Sequence, residues 1–320
     1  MDRKGDIFGI GDKINIIFGA DKDKIWKKIT RISMNNLNIK IKNSSLGDKN
    51  CYIIDELGQL YGMGLNNYRQ VLDEYGDYCN YFHHIPLPKK CKKFIQASSG
   101  LEHLLCLVET KEGEFKIYAK GRNDCYQCGI DPRHKRSSVN ELTPCYFSKN
   151  ISFKYICSRK RTNAAISING ELYTWGNNQN NNLGHFSNKN DDLEERIGDD
   201  IRIPDRNNNI IPNHFLAHRL IDSDIDNIDN MDYPEINQLK YSPKKVNLGN
   251  KIVDKVAVCE SHMLIIAREN INGCDVKKLF ICGNNFKGAL GQKINSFSVS
   301  NLSNSIEEVK IIDDENSNVK

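Results

Sequence analysis

The residues best placed to do chemistry are Cys125 and Cys128, two thiols in the C-x-x-C spacing that suits zinc binding or thiol redox work. His134 and Cys145 follow downstream and would complete a set of four ligands, although the sequence holds no second C-x-x-C. Ser261-His262 sets a hydroxyl beside an imidazole, the raw material of a hydrolase. The strained G-x-S-x-G turn that would expose such a serine to its base is missing. Cys79, His83, His84 and Cys91 form a looser group without a recognised ligand spacing, and a solvated linker accounts for them. Gly9 and Gly11 make a G-x-G with no following GK[ST] or helix, so a phosphate cradle is not expected. Two basic runs remain, Lys89-Lys90-Cys91-Lys92-Lys93 and Arg159-Lys160-Arg161. Solvated faces explain both. The lysine run is also a candidate nuclear-import signal or a docking patch for an acidic partner.

What must position these groups is a recurring phrase. Leu172 to Trp175 reads as a short strand between two glycine turns, at Gly170 and Gly176. With Gly176 as anchor, Gly11, Gly64, Gly121 and Gly283 fall into the same register. An aromatic stands three residues before each anchor (Phe8, Tyr61, Tyr118, Tyr173, Phe280), preceded by Ile or Leu. Eight residues after the anchor stands Gly19, Gly129, Gly184 or Gly291, with Leu72 the exception. The residue before that is apolar: Phe18, Val71, Cys128, Leu183, Leu290. The anchors are 53, 57, 55 and 107 residues apart. A second turn precedes each phrase, at 47–50, 100–103, 159–162 and 259–262, and leads into an apolar strand. A period near fifty residues made of short strands predicts propeller blades rather than a helical solenoid. Tyr61, Tyr118, Tyr173 and Phe280 are expected at equivalent blade positions, largely buried.

Leu172-Tyr-Thr-Trp-Gly-Asn-Asn178, and Gly283-Asn-Asn285 with Gly288-Ala-Leu-Gly291, resemble the regulator of chromosome condensation repeat, as in the nucleotide exchange factor for the small GTPase Ran. The match is uneven. Lys13 stands where the family has Asn, the G-x-x-H turn is whole only at Gly100–His103, and Cys259 replaces its glycine in the last unit. The resemblance covers most of the chain outside roughly 186–240. Kelch repeats share the period but end a strand with paired glycines, which this chain lacks. The resemblance implies an all-β propeller, in a family that closes with seven blades. Here the repeats amount to four complete units, a C-terminal half at the start, and an opening strand of another unit at Ile306–Ile312. Either the propeller is partial or a smaller ring closes.

This register gives the chemical candidates structural roles. Cys128 takes the place of Leu183 and Leu290, and His103 and His262 share a turn position with Asn50 and Thr162. No catalytic, cofactor-binding or metal-ligating residue is therefore assigned. With 39% hydrophobic residues in 320 the chain can bury a sizeable core. Its net charge of +4 is far from the basic stripe of a nucleic-acid binder. Nor does it open with the basic tail that attaches the family to chromatin, so neither partner is expected. No apolar run approaches the length of a membrane span. Eleven cysteines, several in apolar strands, suit a reducing compartment, the cytoplasm or the nucleus. The domain reading is one propeller-like unit over 1–320, interrupted at 186–240 by a disordered insertion rich in Asn, Asp and Ile, and ending in a polar tail at 313–320. Residues 72–88 and 130–144 read as linkers. The function expected is a non-catalytic platform for a protein partner. The alternative, which rests on the resemblance alone, is guanine nucleotide exchange on a Ran-like small GTPase.

Overall fold

The structure is a computed structural model that describes residues 8–11, 26–31, 39–74, 76–131, 136–185, 242–285, 290 and 306–309. Its described elements are all strands. β1 (Phe8–Gly11) and β2 (Trp26–Arg31) form an antiparallel pair. Four four-stranded antiparallel sheets follow. Sheet A holds β3 (Ile41–Leu46), β4 (Asn50–Asp55), β5 (Leu60–Leu65) and β6 (Tyr78–Ile85). Sheet B holds β7 (Cys91–Ser99), β8 (His103–Thr110), β9 (Phe115–Arg122) and β10 (Ser138–Pro144). Sheet C holds β11 (Phe153–Arg159), β12 (Thr162–Ser167), β13 (Leu172–Gly176) and β14 (Lys244–Lys245). Sheet D holds β15 (Ile252–Val258), β16 (His262–Ile271), β17 (Cys274–Gly283) and β18 (Glu307–Glu308). Each sheet is a meander in chain order, the architecture of a propeller blade.

The anchor glycines mark the point where strands two and three meet. Asn50 pairs with Gly64, His103 with Gly121, Thr162 with Gly176 and His262 with Gly283. At Gly176 φ is +102°, a region that L side chains rarely adopt, and an added Cβ would collide with the Arg161 carbonyl oxygen. The other three glycines face the carbonyls of Lys49, Glu102 and Ser261 in the same way. Glycine recurs there because the turn of the neighbouring hairpin occupies the space of a side chain.

The second strands of sheets A, B and C are buried on both sides because those sheets are covered on both faces, whereas β16 of sheet D buries one face and leaves Leu264 exposed on the other. Leu104, Cys106 and Val108 of β8 pack with Tyr52, Ile54 and Leu60 of sheet A. Leu105 and Leu107, on the opposite face, pack with Phe153, Ile156, Tyr173 and Trp175 of sheet C. Ala164 and Ile166 of β12 then meet Val253, Val256 and Phe280 of sheet D. Full burial of such a side chain stabilises by about 1.5–3 kcal/mol. The aromatic repeat position falls on the third strand in all four sheets. Tyr173 and Phe280 are buried there, whereas Tyr61 and Tyr118 are half-buried.

Three readings change. The stretches 72–88 and 130–144 are not plain linkers, since they carry β6 and β10, the fourth strands of sheets A and B. Glu307–Glu308 does not open another unit. It closes sheet D, with Phe280 opposite Glu308 and Ile281 opposite Glu307. Fourth strands are edge strands with one exposed face, so they lack the apolar run that marks the others. The first strands also share a bulge that the alignment does not reveal, between Ile41 and Asn43, Phe94 and Gln96, Phe153 and Tyr155, and Val253 and Lys255. The insertion expected at 186–240 and the tail at 313–320 lie outside the described residues. β13 and β14 pair directly, so the chain between Gly176 and Lys244 connects the third and fourth strands of one sheet.

Candidate protein-interaction face

Each sheet brings two loops to the same end: the turn between strands one and two, and the loop after strand three. A single backbone bond joins them. The N–H groups of Leu65, Arg122, Asn177 and Asn284 donate to the carbonyls of Lys49, Glu102, Arg161 and Ser261 at 3.0, 2.9, 3.0 and 2.7 Å. The Asn two residues after the anchor then shapes the longer loop. The Oδ1 atoms of Asn66, Asn123, Asn178 and Asn285 accept the N–H of Val71, Cys128, Leu183 and Leu290, five residues on, at 2.9, 2.9, 3.0 and 2.9 Å. The amide side chain replaces a backbone partner, an Asx-type closure.

The same loops tie one sheet to the next. Asn163 donates from Nδ2 to the Gln127 carbonyl at 2.9 Å, and Trp175 donates from Nε1 to the same oxygen at 3.1 Å. Asn182 Nδ2 reaches the carbonyls of Cys259 and Glu260 at 3.3 and 3.1 Å. His103 is buried, with Nε2 paired to Asn163 Oδ1 at 2.7 Å. Burial is the main cause that lowers its pKa to about 4, so the imidazole is neutral at pH 7. Lys120 stands where Trp175 stands in the next sheet. Its ammonium is 1% exposed and pairs with Asp73 Oδ1 at 2.6 Å. A lysine in the tryptophan position was the sequence signal for this buried cation, whose carboxylate partner is half-exposed.

What remains at this end is a charged network. Glu102 receives Lys49 Nζ at 3.1 Å and Arg122 Nη1 at 2.6 Å. Asp124 takes Arg122 Nη2 at 2.5 Å and Arg161 Nη1 at 3.8 Å. Asp48 takes Arg159 at 2.9 Å and Lys160 at 2.5 Å, which links the first turn of sheet A to that of sheet C. Burial pushes the Glu102 and Asp124 carboxyls up, yet the bonds to their cationic neighbours outweigh it and hold both below the ordinary range. Arg122 also lies 5.1 Å from the Tyr68 ring centroid. Five cations thus face three carboxylates, a basic surplus in a half-exposed setting.

The remaining candidates separate. Cys128 is fully buried, donates to the Gly121 and Arg122 carbonyls, and burial holds its thiol well above the usual range. Cys125 meets Arg161 Nη1 at 3.5 Å. Cys145 donates to the Cys128 carbonyl at 3.2 Å, and His134 lies outside the described residues. Among the described residues no group of three or more His, Cys, Asp or Glu is placed to hold a metal ion. Ser261 Oγ lies 3.2 Å from His262 Nδ1, while its carbonyl serves the repeated loop bond. Cys79, His83 and His84 belong to β6 rather than a solvated loop. Cys79 and Cys91 enter the core, His83 stacks on Tyr81, and His84 bonds Gln59, so the four do not converge. The lysine run opens β7, where Lys92 and Lys93 both pair with Glu109 at 3.0 Å. Gly9 and Gly11 lie on β1.

Four-stranded meander sheets packed face to face define a β-propeller chain. No family profile matches it. The dog (Canis lupus familiaris) X-linked retinitis pigmentosa GTPase regulator is 29% identical over 141 residues, 44% of this chain and 13% of that protein. The human regulator of chromosome condensation is 22% identical over 147 residues, 46% of this chain and 33% of its own length. Among solved structures, Prp20p from Saccharomyces cerevisiae superposes with a TM-score of 0.61 at 16% identity, covering 96% of this chain and 59% of Prp20p. The chain has the β-propeller fold of Prp20p and local sequence similarity to these two regulators, and it spans a third or less of the curated relatives. Among the described residues no helix is long and apolar enough to cross a membrane.

Proposed function

We propose that this chain is a non-catalytic platform that holds a protein partner on the loop face of its sheets. One observation carries the reading. The Asn that recurs with the repeat is used inside the fold, closing loops at Asn66, Asn123, Asn178 and Asn285, and the polar His103, Asn163 and Asn182 join sheets. Among the groups left to face outward are the charged side chains around Asp48, Glu102 and Asp124. Their basic surplus suits a partner rich in carboxylates. Eleven free cysteines support a reducing compartment, the cytoplasm or the nucleus.

The second reading is guanine nucleotide exchange on a Ran-like small GTPase. It is favoured by a relative that is a GTPase regulator and by Prp20p, whose structure is described with its binding to Gsp1p and histones. One assay separates the two. The purified chain is added to a Ran-like GTPase loaded with labelled nucleotide, and both binding and release are followed. The platform reading expects binding without faster release; accelerated release would establish exchange.

A further inference from the structure

The seams between neighbouring sheets share one bond, and one seam makes it with sulfur. Ser45 Oγ accepts the Ser99 N–H at 2.9 Å between sheets A and B, and Ser98 Oγ accepts the Ser158 N–H at 2.8 Å between B and C. Strand register makes Ser45, Ser98 and Cys157 equivalent, because they lie opposite Tyr52, Leu105 and Ala164, the third residues of β4, β8 and β12. The same register makes Ser99, Ser158 and Val258 equivalent. Cys157 therefore takes the serine's place at the seam between sheets C and D, with the Val258 N–H directed at its sulfur. The residue after Val258 is Cys259, which is exposed and held in its turn by a 2.8 Å bond from its N–H to the His262 carbonyl. Burial pushes the half-buried Cys157 thiol up, the Val258 N–H and the Tyr155 hydroxyl pull it back, and Cys259 is near enough to add to the rise.

We propose that Cys157 and Cys259 are a peroxide-sensitive thiol pair whose disulfide fastens sheet C to sheet D. The exposed Cys259 sulfur attacks one peroxide oxygen, the O–O bond breaks, and a sulfenic acid and one water form. The Cys157 sulfur then attacks the sulfenic sulfur. The S–O bond breaks, the S–S bond forms, and the Cys157 proton leaves with hydroxide as a second water. The peroxide is reduced, the two thiols are oxidised by two electrons, and a thiol reductant reverses the step. Placement selects this pair. Cys51, Cys79, Cys91, Cys106, Cys128 and Cys282 are buried, and Cys274, the other exposed thiol, lies at the far end of β17 from Gly283.

The test treats the full chain with hydrogen peroxide, alkylates the remaining thiols, and digests with trypsin without reduction. The expected product joins Tyr155–Arg159 to Val256–Arg268, two hydrogens lighter than the separate peptides, and the oxidised chain melts higher until reductant is added. Cys157→Ser restores the hydroxyl of the other two seams, so it should fold and melt like the reduced chain and give no cross-link. If that variant does not fold, Cys259→Ser, at an exposed turn, takes its place with the same expected loss. A Cys259 peptide joined instead to Cys274 of another molecule, or oxidised to sulfonic acid while Cys157 remains alkylated, overturns the proposal.

Discussion

At Gly176 a single missing Cβ allows two loops to meet. A side chain there faces both a positive φ and the Arg161 carbonyl. Gly176→Val is expected to destabilise by roughly 3 kcal/mol, read as a lower midpoint in chemical or thermal unfolding; an unchanged midpoint would mean that the glycine is incidental. His103 makes a pH-dependent contribution. Its pKa is about 4 in the folded protein against an ordinary 6.5, so below pH 6.5 the unfolded chain takes up a proton that the folded one refuses. Stability should therefore fall between pH 6.5 and 4 and level off below. The loss reaches about 3 kcal/mol at most. His185, also held near 4 by burial, adds a component of the same sign. His103→Asn, the residue type found at the equivalent Asn50, should flatten the slope but not abolish it, as measured by urea unfolding at a series of pH values.

The loop after the third strand is the element that makes a blade out of a hairpin. Its closure depends on one amide. Asn123 accepts from the Cys128 N–H and donates to the Arg136 carbonyl at 2.8 Å, so Asn123→Ala leaves a buried donor unpaired. A cost of about 1–3 kcal/mol is expected, with faster amide exchange at Cys128. The neighbouring thiols are not the support of this loop. Cys125→Ser with Cys128→Ser should keep its fold, and the wild type should carry no stoichiometric zinc in elemental analysis. One zinc per chain, lost together with folding in the double variant, would make this loop a metal site.

Over the whole molecule, sheet C is completed across a gap in sequence longer than the sheet itself. Because β13 and β14 pair directly, replacing residues 186–240 with a short Gly/Ser linker should leave the melting temperature within a few degrees of wild type. Collapse of the transition would show that the segment is integral to the fold. The four sheets were readable from the sequence wherever a local constraint recurs. A glycine that meets a carbonyl is demanded within one repeat, and an aromatic on the third strand and an apolar second strand by the packing of one sheet on the next, which recurs in each repeat; each leaves a residue type at a fixed position. The outer strands β6, β10 and β18 left no such mark, since an edge strand is satisfied by many residues once its neighbour is in place. The charged network likewise depends on proximity between sheets. Asp48 and Arg159 are separated by more than a hundred residues, and nothing near either predicts the other. Repeat chemistry alone is enough to specify a blade. Which side chains face one another across blades is decided only when the sheets stack, because that stacking brings distant turns to a common end.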